Sequence, residues 1–294
     1  MSEHGAPADL VEAAPRRVTG LTRRQQFERR QRRRSSAIAA TSTLVLVAVA
    51  VVAVSSAPGW ADVRRSFFSW SDFTESMRDV APAFWLNVRV FLVAEALILV
   101  LSLAVALVRS SRTAVLFPLR VVATTYVDIF RGIPSLLVLF LLGFGVPGLQ
   151  LRGVPNDPVF WATVALVLSY SAYVSEVFRS GIDSVHESQR SAARSLGLSN
   201  AQALRFVVLP QAVRRVTPPL LNDFIALQKE TSLVGVIGPI EAARQAQIYS
   251  SRTFNFTSYL AAAALFLAAT IPLTRLTDHL LRRQRRRTGT GARA

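Results

Sequence analysis

Five apolar runs, at residues 37–54, 84–108, 121–146, 158–177 and 259–281, leave this 294-residue chain few ways to fold in water. A helix needs roughly 20 residues to cross a bilayer, and each run is near or above that length. Inside the hydrocarbon every backbone N–H and C=O must be satisfied within the segment, so the runs read as helices. The basic residues add an orientation. Nine arginines crowd residues 16–34 just before the first run, and five lie at 282–287 just after the last. Basic blocks beside apolar runs mark the cytoplasmic membrane edge. The net charge of +16 is therefore spent on orientation in a lipid bilayer. A nucleic-acid partner would need a basic face on a soluble domain, and none is visible.

The domain plan follows. Residues 1–36 lack the periodicity to bury a core and read as a disordered, basic cytoplasmic tail. Residues 37–57 form an N-terminal transmembrane anchor, with a cleaved signal peptide as the alternative because Ser55-Ser56-Ala57 suits a cleavage site. Residues 58–83 form an external loop, whose Phe67, Phe68, Trp70 and Phe73 suit either the outer headgroup level or an ordinary loop. Residues 84–281 form the transmembrane core, and 282–294 a second basic cytoplasmic tail. Within the core, the segment from Pro210 carries Arg214, Arg215, Asn222, Asp223, Gln228, Lys229 and Glu230. It is too polar to face lipid, so protein or a cavity must surround it, and adjacent Pro218 and Pro219 predict a broken helix. Counting it, the fold class is all-α with six transmembrane helices and both termini cytoplasmic in a cell membrane. The segments assigned inside carry 24 basic residues and the outer loops 6, a bias that sets orientation.

Ionisable groups inside spans mark interior or water-filled faces. Glu95 lies deep in the second span, whereas Arg89 can snorkel outward. Asp128 with Arg131, and Glu176 with Arg179, stand three residues apart and are placed to pair on one helix face. Gly132 and Pro134 weaken the third span beside the first of these pairs. Catalytic chemistry is not visible. The chain has no cysteine, and its three histidines, His4, His186 and His279, are far apart in sequence. No metal-ligand spacing, nucleophile elbow, phosphate-binding loop or zinc-protease helix occurs, so no metal and no resident cofactor are expected.

One stretch, 184–210, is polar and helix-prone between apolar runs, and reads as a cytoplasmic helix pair for touching a partner. Ser184 with Glu187, and Ser199 with Gln202, fit the capping box. Gly197 stands where the first helix must stop, because glycine enters the left-handed region without a Cβ penalty.

Residues 189–210 resemble the coupling loop of binding-protein-dependent ABC importer permeases. That pattern is Glu-Ala-Ala, three residues, Gly, nine residues, then Ile-x-Leu-Pro. Ala192, Ala193, Gly197, Val207, Leu209 and Pro210 occupy the matching places. YVDIFRGIP at 126–134, AYVSEVFRSGI at 172–182 and LQKETSL at 227–233 are similar to segments of the branch that handles polar amino acids of the histidine, glutamate and glutamine type. The resemblance implies a five-helix permease core plus one N-terminal helix. It implies two ATPase subunits that bind ATP and magnesium, a second permease copy or sister chain, an external solute-binding protein, and an amino-acid substrate. This chain would then be no enzyme, ATP being hydrolysed by the partner. The residues matched to ATPase coupling are Gln189, Ala192, Ala193, Gly197, Leu209 and Pro210. Ser191 replaces the signature glutamate, and Glu187, one turn upstream, is the carboxylate placed to substitute for it. Glu95, Arg131, Pro134, Lys229, Glu230, Thr231 and Ser232 are candidates for the translocation pathway or its gate, with helix-register pairing as the competing role for the charged ones. The alternative from another class is a non-transporting scaffold or sensor whose helix pair binds a regulator. The polar segment 210–230 counts against it, since such a protein has no need of polar groups there.

Overall fold

The computed structural model describes residues 23–111 and 113–289, all helices, turns and loops, with no strand among the described residues. It divides into two compact units, 1–61 and 62–294. The first unit is dominated by α1 (Arg23–Ser55), 33 residues long. Its apolar side chains are bare, Leu44 being 69% and Leu46 70% exposed, as suits a helix whose solvent is lipid. The expected tail boundary at 36 does not coincide with a helix boundary. Residues 1–22 of that tail, His4 included, lie outside the described residues.

In the second unit the rest of α2 (Trp60–Phe67) leads into α3 (Trp70–Ser110), a single 41-residue helix that contains Pro82. Ser69 caps α3 by accepting from the Asp72 N–H. The expected external loop 58–83 is thus largely helical, and residues 70–83 add about 20 Å of helix ahead of the second span. Next come α4 (Phe117–Gly132), α5 (Ser135–Phe140), a π turn at Leu141–Gly145 and α6 (Val146–Gly148). The break between α4 and α5 is the one Pro134 predicts. Ile133 is extended, at φ −104° and ψ 131°, as the residue before a proline prefers. The two arms, Ala114–Gly132 and Ser135–Gly148, meet at 106°.

α7 (Pro158–Asp183) is capped by Asp157, and α8 (Glu187–Ser195), α9 (Asn200–Ala203) and a π turn at Leu204–Val208 follow. α10 (Leu209–Glu230) then runs through Pro218 and Pro219 without a break, which corrects the expected broken helix. The two prolines remove N–H donors, and Thr217 helps the turn before them by donating its hydroxyl to the Val213 carbonyl at 2.7 Å. The change of helix type comes later, at a 3₁₀ segment, Thr231–Ile237. α11 (Ala242–Thr253) and α12 (Thr257–Gly289) complete the chain.

Among the described residues four stretches are long and apolar enough to cross a membrane, Arg34–Ser55, Trp60–Ser110, Pro158–Asp183 and Thr257–Arg283, and the bent pair makes five. α10, the polar segment that brings the sequence reading to six spans, is helical but too polar to count on composition. The core lies where α3 packs on α7, with Val90, Ala94 and Ile98 against Ala162, Ala165 and Leu166, and it is closed by Leu139 and Leu227. Alanines and serines recur on the buried faces of both helices, and small residues let helices approach in lipid, where no hydrophobic force drives them together. At two crossings a glycine is required. A Cβ on Gly181 of α7 would overlap Val216 of α10, and one on Gly143 would overlap Ile237.

Candidate functional site

The polar helix pair is built by local rules. α8 stops at Gly197, whose φ of +86° is left-handed. The Leu198 N–H reaches the Ala193 carbonyl at 3.2 Å and the Gly197 N–H the Arg194 carbonyl at 2.9 Å, the two bonds of a Schellman motif. Ser199 and Gln202 form the expected capping box. The other expected box does not form. α7 continues to Asp183, so the Ser184 hydroxyl donates to the Gly181 carbonyl at 2.6 Å, and His186 caps α8 through Nδ1.

Val185, Val208, Ala212 and Ile182 bury the inner side of the pair. Arg190 donates to the Ile182 carbonyl at 2.8 Å, and Arg215 donates to the Ser184 carbonyl. Of the residues matched to coupling, Glu187, Gln189, Ala192, Gly197 and Pro210 are exposed, and Leu209 is half-buried. Ala193, only 4% exposed, packs inward and offers nothing to a partner. Leu196 at 82% and Phe206 at 61% exposure add apolar surface that the motif match passed over.

Just beneath, Glu176 binds Arg179 as the three-residue spacing predicts, and Arg179 also reaches Asp183 at 2.5 Å. A second partner comes from outside the helix. Arg109 of α3 meets Glu176 at 2.7 Å and is only 13% exposed. The similar pair, Asp128 with Arg131, does not form, and Asp128 makes no ion pair among the described residues. Arg131 instead lies over the Tyr173 ring, 5.9 Å from its centroid, and Tyr173 donates to the Arg131 carbonyl at 3.1 Å. A facing aromatic on α7 outcompetes an exposed carboxylate on the same helix.

Deeper in the bundle, Phe91 of α3 and Phe224 of α10 meet edge-to-face at 4.7 Å. Half-buried Glu95 is one turn on from Phe91 and within electrostatic reach of Asp223. Asp223 has one buried carboxylate oxygen with no hydrogen-bond partner, and Tyr170 of α7 lies within electrostatic reach of both Asp223 and Glu230.

At the far end of α10 the polar groups are sealed. Asn87 of α3 donates to Thr231 Oγ1 at 3.3 Å and to Glu241 Oε2 at 3.0 Å, and accepts from the Ala242 N–H at 3.2 Å. Glu241 caps α11 by accepting from the Ala243 and Arg244 N–H groups at 2.8 and 2.7 Å. Thr231 donates to the Gln228 carbonyl, and the Gln228 side chain accepts from Thr270 of α12 at 2.7 Å. Burial raises the Glu241 carboxyl above its ordinary range, against the pull of its N–H donors and Asn87. Thr231, proposed from the sequence as a pathway residue, is fully buried here and faces no open space. Its neighbours Lys229 and Ser232 do. They line a cleft of about 280 Å³ with Ala243, Tyr259, Ala262, Ala263 and Phe266. Lys229 is exposed and makes no ion pair among the described residues. The described residues hold no cluster of His, Asp or Glu able to bind a metal.

A bundle of apolar helices that encloses carboxylates, opens onto a cleft with a lysine at its wall and presents a capped helix pair has the architecture of a transport component. The chain belongs to the family described as the binding-protein-dependent transport system inner membrane component, whose profile matches residues 98–286. Its members are integral membrane subunits, and this chain is accordingly a permease subunit of an ABC importer, with ATP hydrolysed by a separate subunit. It is 40% identical over 185 residues to a probable glutamine ABC transporter permease of Bacillus subtilis (strain 168), covering 63% of this chain and 83% of the relative. To the glutamine transport system permease of Escherichia coli (strain K12) it is 34% identical, covering 56% and 74%. An amino acid ABC transporter crystallised with histidines superposes with a TM-score of 0.63 at 33% identity, covering 71% of this chain and 97% of that chain. An inward-facing methionine ABC transporter shares the fold at 18% identity, with a TM-score of 0.59, and covers 70% of this chain and 95% of that chain.

Proposed function

We propose that this chain is the membrane-spanning half of an ATP-driven importer of a polar amino acid, delivered by an external solute-binding protein. It crosses the cell membrane six times, with α10 as the polar fifth span, and both termini are cytoplasmic. Two ATPase subunits receive α8 and α9, and bind the ATP and magnesium that this chain does not. A second permease copy or a sister chain completes the pathway. The observation that carries the reading is continuity. From Asn200 to Glu230 the chain is helical throughout, so α9 of the exposed pair and Lys229 at the cleft belong to one continuous helical run. Movement of the docked pair is thereby delivered to the cleft.

Glu95, Glu230 and Ser232 line the solute's way, joined by Asp223. Arg131 and Pro134 stand at the bend between α4 and α5, which acts as a gate. Lys229 offers a cation for the solute's carboxylate, and the half-buried carboxylates suit its ammonium. The names of the relatives, which include glutamine and amino-acid permeases, support this solute class. The test is Lys229→Met in the complete transporter reconstituted in liposomes, with labelled L-glutamine, L-glutamate, L-arginine and L-histidine as probes. Transport of the best-carried amino acid should fall at least tenfold while assembly persists. Unaltered transport and specificity would reject the pathway role.

A further inference from the structure

Asn87, Thr231 and Glu241 are each 2% exposed or less, so no solute touches them. Yet Thr231 and Glu241 stand in the chain beside residues that line the cleft, and Asn87 reaches both of them from α3. Gln228 and Thr231 of the buried network flank Lys229 and Glu230, and Glu241 and Ala242 precede Ala243. Asn87 is the member that joins the two sides. Its carboxamide NH₂ donates to the last turn of α10 and to Glu241, while its carbonyl accepts from the first N–H of α11. That use of donors and acceptor together is open to an amide and to neither an acid nor a hydrocarbon of the same shape.

We propose that Asn87 is a positioning residue for transport, fixing the outer end of α10 so that the Lys229 ammonium is presented in its cleft. The inference rests on the reading of Lys229 as a pathway residue. A clasp that served stability alone would be better built from apolar groups, because a buried carboxylate is costly and an enclosed polar network mainly selects one geometry. The geometry here is narrow. Glu241 packs so tightly on Gly235 that a Cβ there would collide with its carboxylate.

The experiment uses the full transporter in liposomes and the best-carried of the four labelled amino acids. Asn87→Asp removes the donor and sets two carboxylates face to face; Glu241→Gln replaces one accepting oxygen by an NH₂, which must then face an N–H of Ala243 or Arg244 that the carboxylate now accepts from. The combined variant restores one donor and one acceptor with their direction reversed. Each single variant should raise the KM for uptake about tenfold, and the combination should return it to within about threefold of the parent. In a Lys229→Met background, Asn87→Asp should add nothing further to KM. The inference falls if Asn87→Asp lowers only the amount of assembled transporter and leaves KM intact. It falls equally if its effect multiplies with that of Lys229→Met, or if the combined variant is no better than the singles. A Lys229→Met transporter with normal uptake would instead overturn the pathway reading itself, and this inference with it.

Discussion

Gly181 of α7 sits against Val216 of α10 with the Ala212 carbonyl 3.4 Å and Val216 Cβ 3.5 Å from where a Cβ would stand, and Val216 Cγ1 nearer still. Val216 is 3% exposed and, being β-branched in a helix, has essentially one χ1 rotamer to occupy. Gly181→Ala therefore forces either an off-rotamer valine or a wider crossing, an overpacking cost of about 1–3 kcal/mol. Better helix propensity returns about 1 kcal/mol, leaving a net loss of about 1 kcal/mol. Val216→Ala removes two methyl groups, about 1.6 kcal/mol at about 0.8 per group, with a cavity contribution added. Together the two changes exchange a methyl across the same gap, so the double variant should be more stable than the sum of the singles by about 1–3 kcal/mol. Unfolding of the purified chain by SDS in detergent measures this, with ATPase stimulation in the assembled complex read in parallel. Additivity within about 0.5 kcal/mol would refute the close-approach reasoning.

Glu176→Gln leaves Arg109, 13% exposed, without its charge partner and should destabilise the chain by about 2 kcal/mol in the same unfolding assay. Glu187→Gln should weaken stimulation of the partner ATPase and Ser191→Glu should strengthen it, measured as turnover against ATPase concentration; unchanged stimulation by Glu187→Gln would reject the substitute-carboxylate role. Because burial raises the Glu241 carboxyl, its protonated form is the one favoured by folding. Its stabilising effect is full below the unfolded value and fades as external pH rises through the folded one. Glu241→Gln should flatten that part of the stability–pH curve, followed by thermal unfolding across acidic to neutral pH.

What could be read from the residues was what short-range chemistry decides. The Gly197 stop and the Ser199–Gln202 box depend on neighbours within a few positions, and both formed. So did the break at Pro134, because proline acts on the residue beside it. Errors arose where a distant group intervened. Arg131 had two partners available, and the choice went to Tyr173, 42 residues on. Ser184 had the right spacing for a cap but was absorbed by one more turn of α7. Asn87 and Glu241 were invisible as a pair because 154 residues separate them. Glu241 in particular sat in a stretch that composition assigned to an outer loop, where a carboxylate is usually solvated.

The unbroken run from α9 through α10 also sets a mechanical scale. About 30 helical residues make a rod of about 45 Å. Tilting such a rod by about 5° about its midpoint displaces each end by about 2 Å, against N–H···O distances that span only about 2.7–3.2 Å. The seal around Asn87 therefore cannot follow the lever through even a small swing. With α3 held still, such a tilt would oblige it to open or re-pair, so this end of α10 would behave as a catch with two settings and not as a spring.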